Sequence, residues 1–293
     1  MSNRNESKHT NILELSQIGS ISSNLIADFK NNEGYLAVSS DEKDFIQLSI
    51  KGLVSEIFTK SSSIDERDNR INILRTALQK FEYFPLQRYS ELFEKALENF
   101  LRDLPSNITK VYIMPGADIG ENSVKSFHVV MYMFRGNSLP TVLKKVNRKI
   151  KLTFLKQNHT PKLEVNNTQL LFVDDFIGSG ESLTSQINIV QKNIYTTLNS
   201  KNLAVLCLVI EKKTQIKLKK SFKIYAGFEI DSEEKISSQL IKKFPVSAGF
   251  HVKNIDLRNF GDSILLSMIR TPNNTVPFFY RNEPFSRMRV SDE

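Results

Sequence analysis

A mostly parallel α/β sheet with helices on both faces, preceded by a helical N-terminal region, is the fold this sequence predicts. Three observations carry the prediction. Short apolar runs at Lys110–Met114, Leu170–Val173 and Leu203–Ile210 read as strands, and helical spacing recurs around them. Leu203–Ile210 is apolar almost throughout, as expected of a strand covered on both faces. Residues 1–88 read instead as helical and irregular, so the expected division is 1–88 and 89–293.

Taken in order, Asp44–Phe58, with Phe45, Leu48, Leu53 and Phe58, and Ile64–Phe84, with Ile71, Leu74, Leu78 and Phe81, are expected helices. Thr59–Ser63 breaks them, and Pro85 ends the second or starts the next. This region shows no catalytic constellation and reads as a supporting layer or a partner-binding module. Tyr89–Leu104 is the clearest helix: Tyr89, Leu92, Phe93, Ala96, Leu97, Phe100, Leu101 and Leu104 hold one apolar face until Pro105. Lys110–Met114 is a strand leading into Pro115, Gly116, Ala117 and Asp118. Phe127–Phe134, mostly apolar, is expected to be a central strand with His128 packed inside it. The most basic stretch follows, with Arg135, Lys144, Lys145, Arg148, Lys149, Lys151, Lys156 and Lys162, and with exposed loop at 158–161 and 166–168. Past Leu203–Ile210, Lys212–Lys223 is again basic, Ile224–Ile230 reads as a strand and Phe260–Ile269 as a helix. Thr271–Tyr280, TPNNTVPFFY, is a turn followed by an aromatic packing segment.

Composition narrows the function classes. The 293 residues are 40% hydrophobic and 25% charged, the profile of an ordinary globular chain. No apolar run approaches the roughly 20 residues a membrane helix needs. The polar start MSNRNESKHT is no signal peptide, so the expected compartment is the cytoplasm. The single cysteine, Cys207, lies inside an apolar run and is expected to be a buried strand residue rather than a nucleophile. With four scattered histidines it offers no structural zinc site. The net charge of +8 suits nucleic acid, an anionic surface or a polyanionic substrate.

The chemistry concentrates in Leu170–Ser182, LLFVDDFIGSGES. An apolar run ends in Asp174 and Asp175; Phe176 and Ile177 follow, then a turn of Gly178, Ser179 and Gly180, then Glu181 and Ser182. Leu183, Ile187, Val190, Ile194 and Leu198 continue at helical spacing. The first turn of a helix leaves N–H groups unpaired and its dipole favours an anion. Gly178 and Gly180 let the backbone approach a phosphate, while Ser179 and Ser182 add hydroxyl donors or cap the helix. Asp174 and Asp175 are expected at the carboxyl end of a central strand, where open α/β sheets bind ligands. Two adjacent carboxylates need compensation from sugar hydroxyls, a basic side chain or Mg²⁺.

This order resembles the phosphoribosyl-diphosphate (PRPP) signature of type I phosphoribosyltransferases. The resemblance implies that Asp174 and Asp175 bind the ribose 2′ and 3′ hydroxyls and that Gly178, Ser179, Gly180, Glu181 and Ser182 hold the 5′-phosphate. Phe176 is larger than the usual aliphatic residue, and Gly178 stands where that family more often has Ser, Thr, Ala, Val or Asp. The same resemblance makes Pro115, Gly116, Ala117 and Asp118, with Lys125 and Ser126, candidates for the pyrophosphate loop. It makes the basic stretch a cationic lid, set against a nucleic-acid contact surface or a plain solvated face. Mg²⁺ would be bound mainly through PRPP, with no dedicated protein metal ligands. FVDDFIGSG together with TPNNT is similar to the PRTase-CE group, over about residues 90–290. That group is assigned to bacterial conflict systems, some with reverse transcriptases in retron-type antiphage defence. The resemblance therefore implies a PRPP-dependent transferase or related hydrolase acting as a defence effector. A catalytically inactive nucleotide sensor, or a nucleic-acid-associated subunit beside a reverse transcriptase, is the alternative.

Overall fold

The computed structural model describes residues 3–79, 82–116, 127–134, 136, 138–155, 167–194, 202–231 and 266–267. The chain divides into two compact units, Met1–Gln87 with Glu233–Glu293, and Arg88–Ser232.

In the first unit, α1 (Asn3–Phe29), α3 (Ser40–Lys60) and α4 (Ile64–Gln79) pack together, with the short α2 (Glu33–Leu36) between the first two in sequence. The buried stripe of α3 is Ile46, Ile50, Leu53, Val54 and Ile57, whose spacing keeps one face inward; Leu48 is exposed. Ile71, Leu74 and Leu78 of α4 and Leu25 and Phe29 of α1 complete this core. Ser39 caps α3 by accepting from the Glu42 N–H at 3.3 Å, and the Glu42 carboxylate accepts from the Tyr83 hydroxyl. The helix expected to reach Phe84 ends at Gln79. Glu82–Tyr83 is instead a strand, β1, paired in parallel with β7 (Leu266–Ser267). Those two β7 residues correct the helix expected over Phe260–Ile269.

The helix expected before Pro105 is α5 (Leu86–Asp103), which belongs to the second unit from Arg88 on. Five parallel strands follow: β2 (Lys110–Pro115), β3 (Lys151–Phe154), β4 (Thr168–Ile177), β5 (Leu203–Glu211) and β6 (Lys223–Ile230). Their order is β3-β2-β4-β5-β6. β5 is buried along its whole length, and each fully buried Leu, Val or Ile there contributes about 1.5–3 kcal/mol relative to exposure. Side chains alternate across the sheet. On one face Leu170, Phe172, Leu203, Val205, Cys207 and Ile224 form a core with Leu183, Ile187 and Val190 of α8 (Glu181–Ile194). On the other, Phe100 of α5 meets Tyr225 edge-on at 5.4 Å, and Phe134 lies between Phe93 and Phe154. The mostly parallel sheet with helices on both faces is as expected.

Two expectations fail here. Phe127–Met133 is a helix, α6, not a central strand. Val130 and Phe134 are buried while His128 and Tyr132 are exposed, a repeat of four that only a helix produces. An unbroken apolar run carries no period, so it cannot separate the two. The basic stretch is not one lid either. It holds α7 (Ser138–Lys145) and β3, and Lys151 pairs with Lys110 where β2 begins. Lys144, Lys145, Arg148, Lys149 and Lys151 thus lie at or near the amino ends of the strands. Arg135, Lys156, Lys162, residues 158–161 and Thr271–Tyr280 lie outside the described residues.

Candidate functional site

Strand order creates the site. The chain goes from β2 to β3 on one side and returns to β4 on the other, so direction reverses between β2 and β4. β2 pairs with β4 only as far as Pro115 opposite Val173, where the Gly116 N–H donates to the Val173 carbonyl at 2.8 Å. β4 continues beside β5 to Ile177 opposite Ile210. The expected strand end at Val173 therefore moves four residues on. Asp174 and Asp175 lie inside β4, on the segment that outruns β2.

Alternation sends the two carboxylates to opposite faces. Asp174 follows Leu170 and Phe172 on the α8 face and is half-buried. Asp175 follows Leu171 and Val173 on the α5 face and is 3% exposed. The Asp175 N–H donates to Asp174 Oδ1 at 3.0 Å, so part of the compensation that adjacent acids need comes from the backbone. Both acids also engage other groups within the fold.

Gly116 brings the first loop to the acids. A Cβ there would lie 3.2 Å from Asp174 Oδ2 and 3.2 Å from the Val173 carbonyl oxygen. A larger residue would press on the carboxylate. Pro115 and Gly116 thus end β2 directly beside Asp174, and the sequence does place two separate motifs at one point. Ala117, Asp118, Lys125 and Ser126 lie outside the described residues.

On the other side of the acids, Gly178, Ser179 and Gly180 turn the chain into α8. Gly180 has φ +76°, a conformation that a Cβ disfavours. Its backbone also packs on α9 (Lys212–Leu218), since a Cβ would lie 3.0 Å from Thr214 Cγ2 and 3.1 Å from Leu218 Cδ1. Ser179 Oγ accepts from the Glu181 N–H at 3.4 Å, and Thr184 donates through both its N–H and its hydroxyl to the Gly180 carbonyl. Ser179, Glu181 and Ser182 are exposed at the helix start, with Gly178 half-buried.

Cys207 lies opposite Asp174 on β5 and reports the local field. Burial pushes its thiol well above the ordinary range, and the charges of Asp174, Asp175 and Glu229 push it further. The thiol is inaccessible and protonated, a packed strand residue as expected. The same field favours positive charge beside β4, while the helix start favours an anion. Sequence reasoning missed the contribution of α9 to the turn, because Ile216 and Leu218 are too few apolar residues to mark an inner face in Lys212–Lys223.

Among the described residues, no group of three or more His, Cys, Asp or Glu side chains could hold a metal ion, and no helix is long and apolar enough to cross a membrane. The structure resembles orotate phosphoribosyltransferase of Mycobacterium tuberculosis at 13% identity, with 53% of this chain and 75% of that one covered and a TM-score of 0.31. It also resembles hypoxanthine-guanine phosphoribosyltransferase of Schistosoma mansoni, at 14% identity, 50% and 65% coverage and TM-score 0.30. A third likeness is to the AQ2163 protein of Aquifex aeolicus, at 10% identity, 63% and 84% coverage and TM-score 0.30. Similarity at this level adds nothing about the site. No curated protein sequence matches the chain. The PRTase-CE family model matches residues 63–286, more than half of the sequence and both of the motifs that suggested the resemblance, and the chain is a member of the PRTase-CE family of phosphoribosyltransferase-like proteins.

Proposed function

We propose that this chain binds PRPP at the carboxyl end of β4 and transfers its 5-phosphoribosyl group, or releases it to water. The observation that carries the reading is the position of Asp174, between Gly116 at the end of β2 and the Gly178–Gly180 turn that starts α8. The 5′-phosphate would take the N–H groups and hydroxyls of Gly178–Ser182. Asp174, half-buried, would accept from a ribose hydroxyl. Asp175, buried behind it, would support the second ribose contact and hold β4 in place. The end of β2, Pro115–Asp118, would face the diphosphate.

In the reaction, the bond from the anomeric carbon to diphosphate breaks and the electron pair leaves with diphosphate. A nucleophile forms the new bond and loses its proton to solvent or to the leaving group. The transition state resembles an oxocarbenium ion. The negative field beside β4 stabilises the cation, and the protein's part is chiefly to orient and to exclude water. In this reading Mg²⁺ is carried in by the ligand's own oxygens, and the half-buried carboxylate of Asp174 could contact it. Such an ion would neutralise the departing diphosphate.

Membership in PRTase-CE supports a further step, that the chain acts as an effector in bacterial antiphage defence, in the cytoplasm and alongside a reverse transcriptase. The decisive experiment is calorimetric titration of PRPP with Mg²⁺ into wild type and Asp174→Ala, with pyrophosphate assayed in the same cell. Saturable binding with pyrophosphate release, both lost in the variant, is expected. Binding without release would make the chain a nucleotide sensor, and absence of binding would overturn the PRPP reading.

A further inference from the structure

The sequence from Lys212 to Lys223, KKTQIKLKKSFK, has six lysines and no acid in twelve residues. The structure makes it one surface: α9, a turn at 219–222 and the first residue of β6. Thr214, Gln215 and Leu218 face inward, and every one of the six lysines is exposed. Lys212 is paired with Asp231 at 2.9 Å. Among the described residues, Lys213, Lys217, Lys219, Lys220 and Lys223 make no ion pair. Lys213 and Lys217 are one turn apart, and Lys219 continues in helical conformation, so Lys220 falls on the same stripe one turn further. Like charges at this spacing repel, and nothing within the stretch relieves them.

We propose that this lysine ridge binds the phosphodiester backbone of a nucleic acid. The stripe spans about 10 Å along seven residues of helix, more than one phosphate group covers, so it calls for a repeating anion. A lipid surface fits less well. The apolar side of α9 is spent on Gly180 through Leu218, and Ile216 is its one exposed aliphatic residue, so no apolar face remains to enter a bilayer. The ridge begins where β5 ends, at the same edge of the sheet as Asp174, and α9 is the element on which Gly180 packs. A strand held along α9 would therefore be led to the turn at the start of α8. This surface goes beyond PRPP binding and stands if that reading fails.

The test is fluorescence anisotropy of a labelled 20-nucleotide single-stranded RNA at several salt concentrations. Wild type is expected to bind with an affinity that falls steeply with salt. In Lys213→Gln/Lys217→Gln/Lys220→Gln the slope of log K against log salt is expected to fall by about 2, with at least about tenfold weaker binding at low salt. Lys144→Gln/Lys149→Gln/Lys151→Gln, at the amino ends of the strands, is expected to bind as wild type does. In wild type, bound RNA should shield Lys213, Lys217 and Lys220 from acetylation, a readout that needs no variant. Binding without salt dependence, equal binding by the α9 triple variant, no shielding, or phosphatidylserine vesicles displacing the RNA would each overturn the proposal.

Discussion

Gly180→Ala tests the geometry of the turn without touching an ionisable group. Two separate costs are expected. At φ +76° an alanine carries the left-handed penalty, about 1–2 kcal/mol. Its Cβ also arrives 3.0 Å from Thr214 Cγ2 and 3.1 Å from Leu218 Cδ1, and overpacking of this kind costs about 1–3 kcal/mol. The sum is on the order of 2–4 kcal/mol, since a shift of the turn relieves both together. Urea denaturation should show a lower midpoint with an unchanged slope. Thr214→Ser removes the nearest methyl, so in that background the packing part should shrink while the backbone part remains. Gly180→Ala within about 0.5 kcal/mol of wild type would refute both parts. If the backbone part alone vanished, the positive φ would be wrong.

The acids should separate: Asp174→Ala is expected to remove PRPP binding with little loss of stability, and Asp175→Ala to lose both, by calorimetry and thermal melting. Cys207 should resist thiol reagents until the protein unfolds, as followed by labelling against urea. The raised values of Cys207 and Tyr225 also fix a pH dependence. Tyr225 is raised chiefly by burial and then by Asp103. The folded state keeps both protons while the unfolded state releases them, the thiol from near pH 9.0. These two groups should therefore leave stability unchanged from pH 7 to about 9 and lower it above that, as read from denaturation midpoints between pH 7 and 10.5. Gly34→Ala and Gly227→Ala should both unfold readily in limited proteolysis. A Cβ at Gly34 would collide with the Tyr83 carbonyl oxygen, and one at Gly227 would meet the Leu92 carbonyl oxygen at 2.5 Å, backbone in each case.

What was legible in the sequence was local. The Gly-Ser-Gly turn after two acids follows from which residues tolerate a tight backbone and which carry charge, and the structure keeps that order. Leu203–Ile210 was readable as a fully covered strand because its period is one of burial, not alternation. The failures share a cause as well. Phe127–Met133 has too few polar residues to mark a face, and β3 is four residues in a lysine-rich stretch, so neither period nor composition distinguishes them. That β4 outruns β2 depends on pairing between segments about sixty residues apart in sequence, as does the approach of Gly116 to Asp174. No window of sequence contains that information.

The span of the family match raises a last question about folding. The match begins at residue 63, just before α4, and leaves α1 and α3 outside it. A domain cut there would look reasonable from the match alone. The packing argues otherwise: Ile71, Leu74 and Leu78 of α4 are buried in one core with Leu25 and Phe29 of α1 and Ile46, Ile50, Val54 and Ile57 of α3. Starting the chain at residue 63 would strip that core of two of its three long helices and expose Ile71, Ile73, Leu74 and Leu78 on a helix whose stability comes mostly from packing. The truncated chain is therefore expected to be cut by protease within 64–79 and to bind a hydrophobic dye, while the full chain resists both. Equal protection in the two chains would show that α4 needs neither α1 nor α3. Resistance at 64–79 depends on packing, because α4 carries its acids at the start and no basic residue in its last turn, leaving little but burial to hold its end.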